Sequence, residues 1–279
     1  LKNGYIEAKT DKLVGANIEF EGVTVTGTEN LIMAASLAKG VSVLTNVARE
    51  PEISDLADFL NSMGAKISGA GTDKIIVEGV EELSGTTYEI PAYRIEAGTF
   101  LIAAAAIGGE VKVANIIPEH LESVVQCLQK ANINIEVADN SIIVKSRTND
   151  ILPTNIETNE YPGFPTDLQA QRMALMCLAK GTSTIKENIY FDRFTHIMEL
   201  NRLGCNIKLE DSIAIIEGDK SLVGADVMST DIRASAALII AALCAKGVTK
   251  ISRVYHIDRG YDKIEKKLTT IGAEIFRKK

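Results

Sequence analysis

Four apolar, alanine-rich segments recur along this chain, each ending in a glycine and each followed by a β-patterned run. They read LIMAASLAKG-VSVLTNV, LIAAAAIGG-EVKVANI, ALMCLAKG-TSTIKENI and IIAALCAKG-VTKISRV. Their terminal glycines, Gly40, Gly109, Gly181 and Gly247, are 69, 72 and 66 residues apart. A second landmark keeps step, where an amphipathic helix gives way to a strand in FLNSMGAKI, CLQKANINI, LNRLGCNI and LTTIGAEI. It turns at Gly64, Asn132, Gly204 and Gly272, with gaps of 68, 72 and 68. Two independent landmarks at one period define a repeat architecture. Each unit reads helix, strand, helix, strand, strand.

Within a unit the first helix is apolar nearly all round, which predicts burial on most sides. The second is two-faced: Leu56, Phe59, Leu60 and Met63 recur at helical spacing, with Asp55 and Asp58 between them. The strands carry β-branched residues bounded by glycine, so helices are expected inside and strands outside. Around Glu89–Glu96 (EIPAYRIE) the chain passes a proline and restarts a helix, which places a domain boundary there. Residues 1–91 then hold a closing hairpin plus one unit, and residues 92–279 hold three units. The hairpin is residues 1–17, which match DKIIVEGVEELSGTT and SIAIIEGDKSLVGAD. A hairpin without its helices is marginal alone, so the chain is expected to lack units upstream of Leu1.

Composition narrows the function. Net charge is −7 and the sequence pI about 5.2, against the basic excess of a nucleic-acid binder. No apolar stretch reaches the ~20 residues of a membrane span. Cys127, Cys177, Cys205 and Cys244 are widely spaced and lack a CxxC pair, which suits reduced thiols in a cytosol better than zinc or disulfides. With Trp absent, the core must be built from Ile, Leu, Val and Ala.

Four stretches place polar groups at helix starts. In YPGFPTDLQAQ (161–171) a stiff loop leads to Thr166 or Asp167 as a cap, and Asp167 is either a simple helix-start acid or a rigidly held general base. In STDIRASAAL (229–238) Thr230 or Asp231 caps a helix with Arg233 in its first turn. Arg259 in YHIDRGYDKIEKKL (255–268) and Arg193 in YFDRFTHIMEL (190–200) open helices the same way. An arginine there opposes the helix dipole unless an anion is bound nearby. Each arginine could instead pair with the adjacent Asp231, Asp258 or Asp192. Three together in an acidic protein point to a shared anion site. A small-residue turn at Thr24, Thr26, Gly27 and Thr28 either presents amides to a diphosphate or is simply capped by Thr28. Glu50 and Glu52 at a helix start fit capping preference.

At these residues the sequence resembles the UDP-N-acetylglucosamine 1-carboxyvinyltransferase (enolpyruvyl transferase) family. The matching strings are VTVTGTENL, AREPEI, MGAKISGAGTDKI, RIEAGTF, PGFPTDLQAQ, RF-H--EL (Arg193 to Leu200), TDIRASAAL and HIDRGYDKIEKKL. The resemblance implies an α/β fold of inside-out barrels, two globules of three βαβαββ units each. It implies transfer of the enolpyruvyl group of phosphoenolpyruvate to the 3′-hydroxyl of UDP-N-acetylglucosamine, with no metal or organic cofactor. These substrates would be the partners, with neither nucleic acid nor membrane, in a cytoplasmic enzyme of peptidoglycan synthesis on which cell shape and division depend.

Carried over by position, Asp167 would be the acid/base, and Arg193, Arg233 and Arg259 would hold phosphoenolpyruvate. Gly22, Val23, Thr24 and Val25 would contact the nucleotide-sugar phosphates and Ile189 the nucleotide, with Asp231 and Glu52 as further polar cleft positions. The chain departs from the family at Tyr93, Phe191 and Gly22. The family's Lys-Asn pair and its Cys- or Asp-bearing loop would lie upstream of Leu1, so the chain alone is expected to be inactive. The alternatives are a non-catalytic nucleotide-sugar-binding copy and the sister 3-phosphoshikimate 1-carboxyvinyltransferase.

Overall fold

A computed structural model describes Gly4, residues 7–219 and residues 221–278. The chain divides into two compact units, Leu1–Pro91 and Ala92–Lys279.

The first unit runs β1 (Asn17–Glu19), α1 (Val25–Ser36), β2 (Val41–Thr45), α2 (Pro51–Ser62), β3 (Lys66–Ser68) and β4 (Lys74–Glu78). Its sheet has the order β1-β2-β4-β3, with β1 parallel to β2 and the other pairs antiparallel. Strand alternation buries Ile75 and Val77 of β4 while Ile76 faces out. Leu44, Ile53, Ala57 and Leu60 close the core beneath it. Helix α1 is less enclosed than its composition suggests: Met33 is exposed, and burial is confined to Thr28, Ile32, Ala35 and Ser36. It packs against α2, itself buried only along Ile53, Ala57 and Leu60.

The second unit holds α3 (Arg94–Ile107), β5 (Gly109–Ala114), α4 (Glu122–Lys130), β6 (Asn134–Ala138) and β7 (Ser141–Ser146). Next come β8 (Ile156–Glu157), α5 (Gln169–Met176), β9 (Thr182–Lys186), α6 (Ile197–Arg202), β10 (Asn206–Glu210) and β11 (Ile213–Glu217). It ends with β12 (Asp226–Met228), α7 (Ile232–Cys244), β13 (Lys250–Ser252) and α8 (Ile264–Thr270). Helices α3, α5 and α7 pack against one another, and every residue of α5 is buried. Three separate sheets flank them, ordered β5-β7-β6, β10-β11-β9-β8 and β12-β13. The sheets are not joined into one closed barrel. The alanines of α3 and α7 let the helices approach closely, and Gly98 leaves room for the Leu168 side chain against α3. Deleting the wholly buried Leu168 side chain removes contacts worth about 2–5 kcal/mol.

Gly64, Asn132, Gly204 and Gly272 all lie in the left-handed region, with φ of 103, 66, 95 and 101°. Each ends a helix and turns the chain back, which Gly, and at some cost Asn, can do. Two readings change. Residues 273–278 form no strand, and among the described residues no strand pairs with them. Residues 7–17 form no hairpin: Val14 bridges parallel to Lys39 before β1 pairs with β2. Residues 1–3, 5 and 6 of that stretch lie outside the described residues.

Candidate functional site

The second unit brings Asp167, Arg193 and Arg233 together. Asp167 sits in a single 3-10 turn, Thr166–Leu168, ahead of α5. Neither Thr166 nor Asp167 caps that helix, because both side chains are engaged elsewhere. The Arg193 guanidinium donates to Asp167 Oδ1 at 2.7 Å, and Arg233 Nε donates to the same oxygen at 2.6 Å. All three side chains are partly exposed, so solvent and a ligand can reach them. The neighbouring-aspartate reading therefore fails: the arginines pair with Asp167, 26 and 66 residues away.

The local structure holds this geometry. Asp231 caps α7, its Oδ1 accepting the Arg233 and Ala234 amides at 2.8 and 3.0 Å. Burial pushes its carboxyl up, but those amides, His196 and the Thr230 hydroxyl outweigh it and leave it below the usual range. Its other oxygen accepts from the Thr195 and Thr230 hydroxyls, so both oxygens are engaged within the protein. Arg193 does not open a helix; it lies in a turn before α6 and stacks over Tyr190 at 5.1 Å. Arg259 closes a 3-10 turn, Val254–Arg259, and its exposed side chain makes no ion pair among the described residues. Its neighbour Asp258 pairs instead with Arg277, at 2.7 and 2.8 Å. Ile189 donates its amide to Glu187, which leaves its carbonyl for any main-chain contact.

A buried polar chain anchors the Asp167 turn from behind. Gln171 Nε2 donates to the Asp167 carbonyl at 3.0 Å and to Thr99 at 3.1 Å, and Thr99 meets Tyr261 at 2.8 Å. Sequence reasoning did not single out this chain or Glu187, and it met His196 only within the RF-H--EL string, without a role. His196 is wholly buried beside Arg193 and Asp231, and burial holds its imidazole down at about 4.

In the first unit, α1 begins at Val25 and Thr24 is its cap, accepting from the Gly27 amide at 3.3 Å. Thr26, Gly27 and Thr28 thus form the first helical turn rather than a turn before it. Thr28 does not cap; its hydroxyl joins Thr24 O to the Ala48 amide. Gly22 is exposed, and Val23, Thr24 and Val25 are half-buried. Glu52 lies in the first turn of α2 behind Pro51, and with Glu50 it raises the Glu29 carboxyl, to which burial contributes most. Of the departures, Phe191 is 75% exposed, and Tyr93 precedes α3 without a side-chain cap bond.

Among the described residues no group of His, Cys, Asp and Glu could hold a metal ion, and no helix is long and apolar enough to cross a membrane. Cys127 and Cys244 lie within helices, whereas Cys177 follows α5 and Cys205 precedes β10. All four are free thiols.

Comparison with known proteins places the chain in a family. A sequence profile described as EPSP synthase (3-phosphoshikimate 1-carboxyvinyltransferase) matches residues 1–268. The UDP-N-acetylglucosamine 1-carboxyvinyltransferase of Geobacter metallireducens is 55% identical over 279 residues, all of this chain and 67% of that protein. The enzyme of the same name from Myxococcus xanthus is 50% identical over 279 residues, 66% of its length. The chain thus spans about two thirds of the curated relatives it matches. Among solved structures, the enolpyruvyl transferase NikO from Streptomyces tendae superposes with a TM-score of 0.84 at 21% identity, over 95% of this chain and 65% of that one. EPSP synthase from Acinetobacter baumannii follows at 0.73 and 19%, over 95% and 64%. Helices inside, sheets outside and the repeat order agree with that fold. The chain belongs to the enolpyruvyl transferase family, on its UDP-N-acetylglucosamine 1-carboxyvinyltransferase branch.

Proposed function

We propose that this chain carries the anion-binding and acid/base part of an enzyme that moves the enolpyruvyl group of phosphoenolpyruvate to the 3′-hydroxyl of UDP-N-acetylglucosamine. The observation that carries the reading is the convergence of Arg193 and Arg233 on one oxygen of Asp167. A carboxylate here stands where a substrate carboxylate or phosphate would bind. Two arginines suit such an anion because each offers several N–H donors in a planar fork. An arriving phosphoenolpyruvate competes for those donors and frees Asp167 to face the sugar hydroxyl. Arg259, exposed and unpaired among the described residues, supplies a third donor.

The sugar oxygen then bonds to C2 of phosphoenolpyruvate as a proton is added at C3, and Asp167 takes the hydroxyl proton. The resulting ketal loses its C2–O bond to phosphate and a proton from C3, which restores the double bond. Preorganised guanidinium groups stabilise the charge that develops on phosphate and carboxylate. Gly22–Val25 and Glu52 are assigned to the nucleotide sugar by family position. The free thiols suit the cytoplasm, where such an enzyme would serve peptidoglycan synthesis.

A second reading is a ligand-binding piece without turnover, favoured by the span of about two thirds of the relatives' length. Phosphate release from phosphoenolpyruvate and UDP-N-acetylglucosamine separates the two, and we expect none from this chain alone. Phosphoenolpyruvate binding that survives Arg193→Ala together with Arg233→Ala would remove the site assignment. Phosphate release with shikimate 3-phosphate as acceptor would favour the sister activity.

A further inference from the structure

One position breaks the internal repeat beside this site. Six residues after each helix-ending glycine come Asn46, Asn115, Glu187 and Arg253. Three of them, Asn46, Asn115 and Arg253, adopt left-handed backbone with φ of 55, 57 and 57°. Glu187 does not, and its side chain is wholly buried. A buried carboxylate is costly to desolvate and is kept only where its oxygens are well satisfied. No cation pairs with Glu187 among the described residues. Neutral donors serve it instead. Oε1 accepts from the Thr158 hydroxyl at 2.8 Å, the Ile189 amide at 2.9 Å and the Tyr190 amide at 3.0 Å. Oε2 accepts from the Thr166 hydroxyl at 2.9 Å.

These four donors come from three segments, and two of those segments carry the ion pair. Thr166 directly precedes Asp167. The Ile189–Tyr190 turn leads to Arg193, whose amide donates to Tyr190 O at 3.1 Å. We infer that Glu187 is a positioning residue that sets the Asp167–Arg193 spacing, one oxygen holding the acid/base loop and the other the arginine loop. The inference deepens the proposed function and rests on it for its catalytic meaning. A four-way acceptor at the base of two loops removes their independent motion, so both partners present a fixed geometry to a small dianion.

The test uses this chain and two variants. Glu187→Gln is nearly isosteric but neutral: its carbonyl must face the Ile189 and Tyr190 amides, so its NH2 turns to the Thr166 hydroxyl, which then accepts instead of donating, and both arms lose their charge assistance. Thr166→Val cuts only the Asp167 arm. Amide exchange at Ile189 and Tyr190 and the Arg193 guanidinium resonances are followed by NMR, alongside phosphoenolpyruvate and inorganic phosphate affinity and melting temperature. Thr166→Val is expected to lose the ion-paired Arg193 signature while keeping slow exchange at Ile189 and Tyr190. Glu187→Gln is expected to lose the Arg193 signature and about tenfold in phosphoenolpyruvate affinity, as for one misaligned charge-assisted hydrogen bond, with little change in melting temperature. Arg193 signals like those of the parent chain in both variants would overturn the inference, as would affinity that falls only in step with melting temperature. If the parent chain binds neither phosphoenolpyruvate nor phosphate, the functional reading fails, and the Arg193 and amide signals still decide the positioning role.

Discussion

Arg193 reaches back 26 residues to Asp167, its guanidinium 2.7 Å from the carboxylate oxygen that Arg233 also holds. The Asp167 carboxylate engages the same guanidinium donors that are proposed to bind a substrate anion. Arg193 and Asp167 stand on neither the same helix nor the same strand, so their meeting is a property of the fold.

Asp167→Ala should therefore separate binding from chemistry. Removing the carboxylate leaves the Arg193 and Arg233 side chains without their shared counter-ion, so phosphate affinity should hold or rise. Turnover in the enzyme that shows it should fall by at least ~10²-fold, the usual share of a general acid/base. Steady-state kinetics with phosphate titration checks both. Near-normal turnover would remove the acid/base role.

Acid should destabilise the second unit through His196. Burial, with help from Arg193 and against the pull of Asp231, lowers its imidazole from 6.5 to about 4. Above pH 6.5 neither state carries the proton. As pH falls from 6.5 towards 4 the unfolded chain takes it up and the folded chain does not, so stability is lost. The full difference is about 3 kcal/mol. Urea unfolding across that window should show the slope, and His196→Leu should flatten it. An unchanged slope in the variant would show that other groups dominate.

Arg172 should be replaceable at a gain. It is fully buried, Nε and Nη1 lack hydrogen-bond partners, Nη2 meets the Thr154 hydroxyl, the Cys127 thiol lies beside the guanidinium, and no carboxylate pairs with it among the described residues. Such a charge is a cost that no ion pair offsets. Arg172→Met, similar in length and apolar, should stabilise the chain by about 1–4 kcal/mol in denaturant titrations. A loss of stability would mean that the guanidinium is satisfied in solution by something bound inside.

The thiols should be inert in the native state. Burial raises Cys127, pushes Cys244 up to about 12, and joins a Cys205 hydrogen bond in raising Cys177. Thiolate is the reactive form, and Cys205 is shielded by its burial, so iodoacetamide at mildly alkaline pH should leave the folded chain unlabelled and modify all four cysteines after denaturation. Rapid labelling of the native chain would contradict the burial of these sites.

Gly64→Ala isolates the backbone term of the repeat turn. An added Cβ there meets nothing within 4 Å, while φ is +103°. The loss should be about 1–2 kcal/mol and purely conformational, and Gly64→Asn should recover part of it, as Asn132 shows in the second unit. Thermal melts of the two variants give the comparison.

The repeat was readable because its causes are local. Terminal glycines, alternating strands such as KIIVE, and alanine-rich helices are dictated by backbone freedom and periodicity, and these place the elements in order. The anion-site reading starts from cations at helix starts, but of the three arginines Arg233 alone holds that position, in the first turn of α7, while Arg193 lies in a turn before α6 and Arg259 closes a 3-10 turn. The helix caps were not readable. Whether Thr166, Asp167, Thr230 or Asp231 caps a helix depends on which rival partner lies within 3 Å, and for Asp167 those rivals are two arginines from distant loops. The final strand failed for the same reason: Glu274–Lys278 has strand-like spacing, but a strand exists only when a neighbour takes its hydrogen bonds. Glu187 shows the division most clearly. Alone it is one acidic residue after a strand. The three loops that turn it into a shared acceptor meet only in the folded chain, since Thr158 and Thr166 lie 29 and 21 residues away. Local propensity determined the units and their order; long-range hydrogen bonding and burial decided which polar residues became partners.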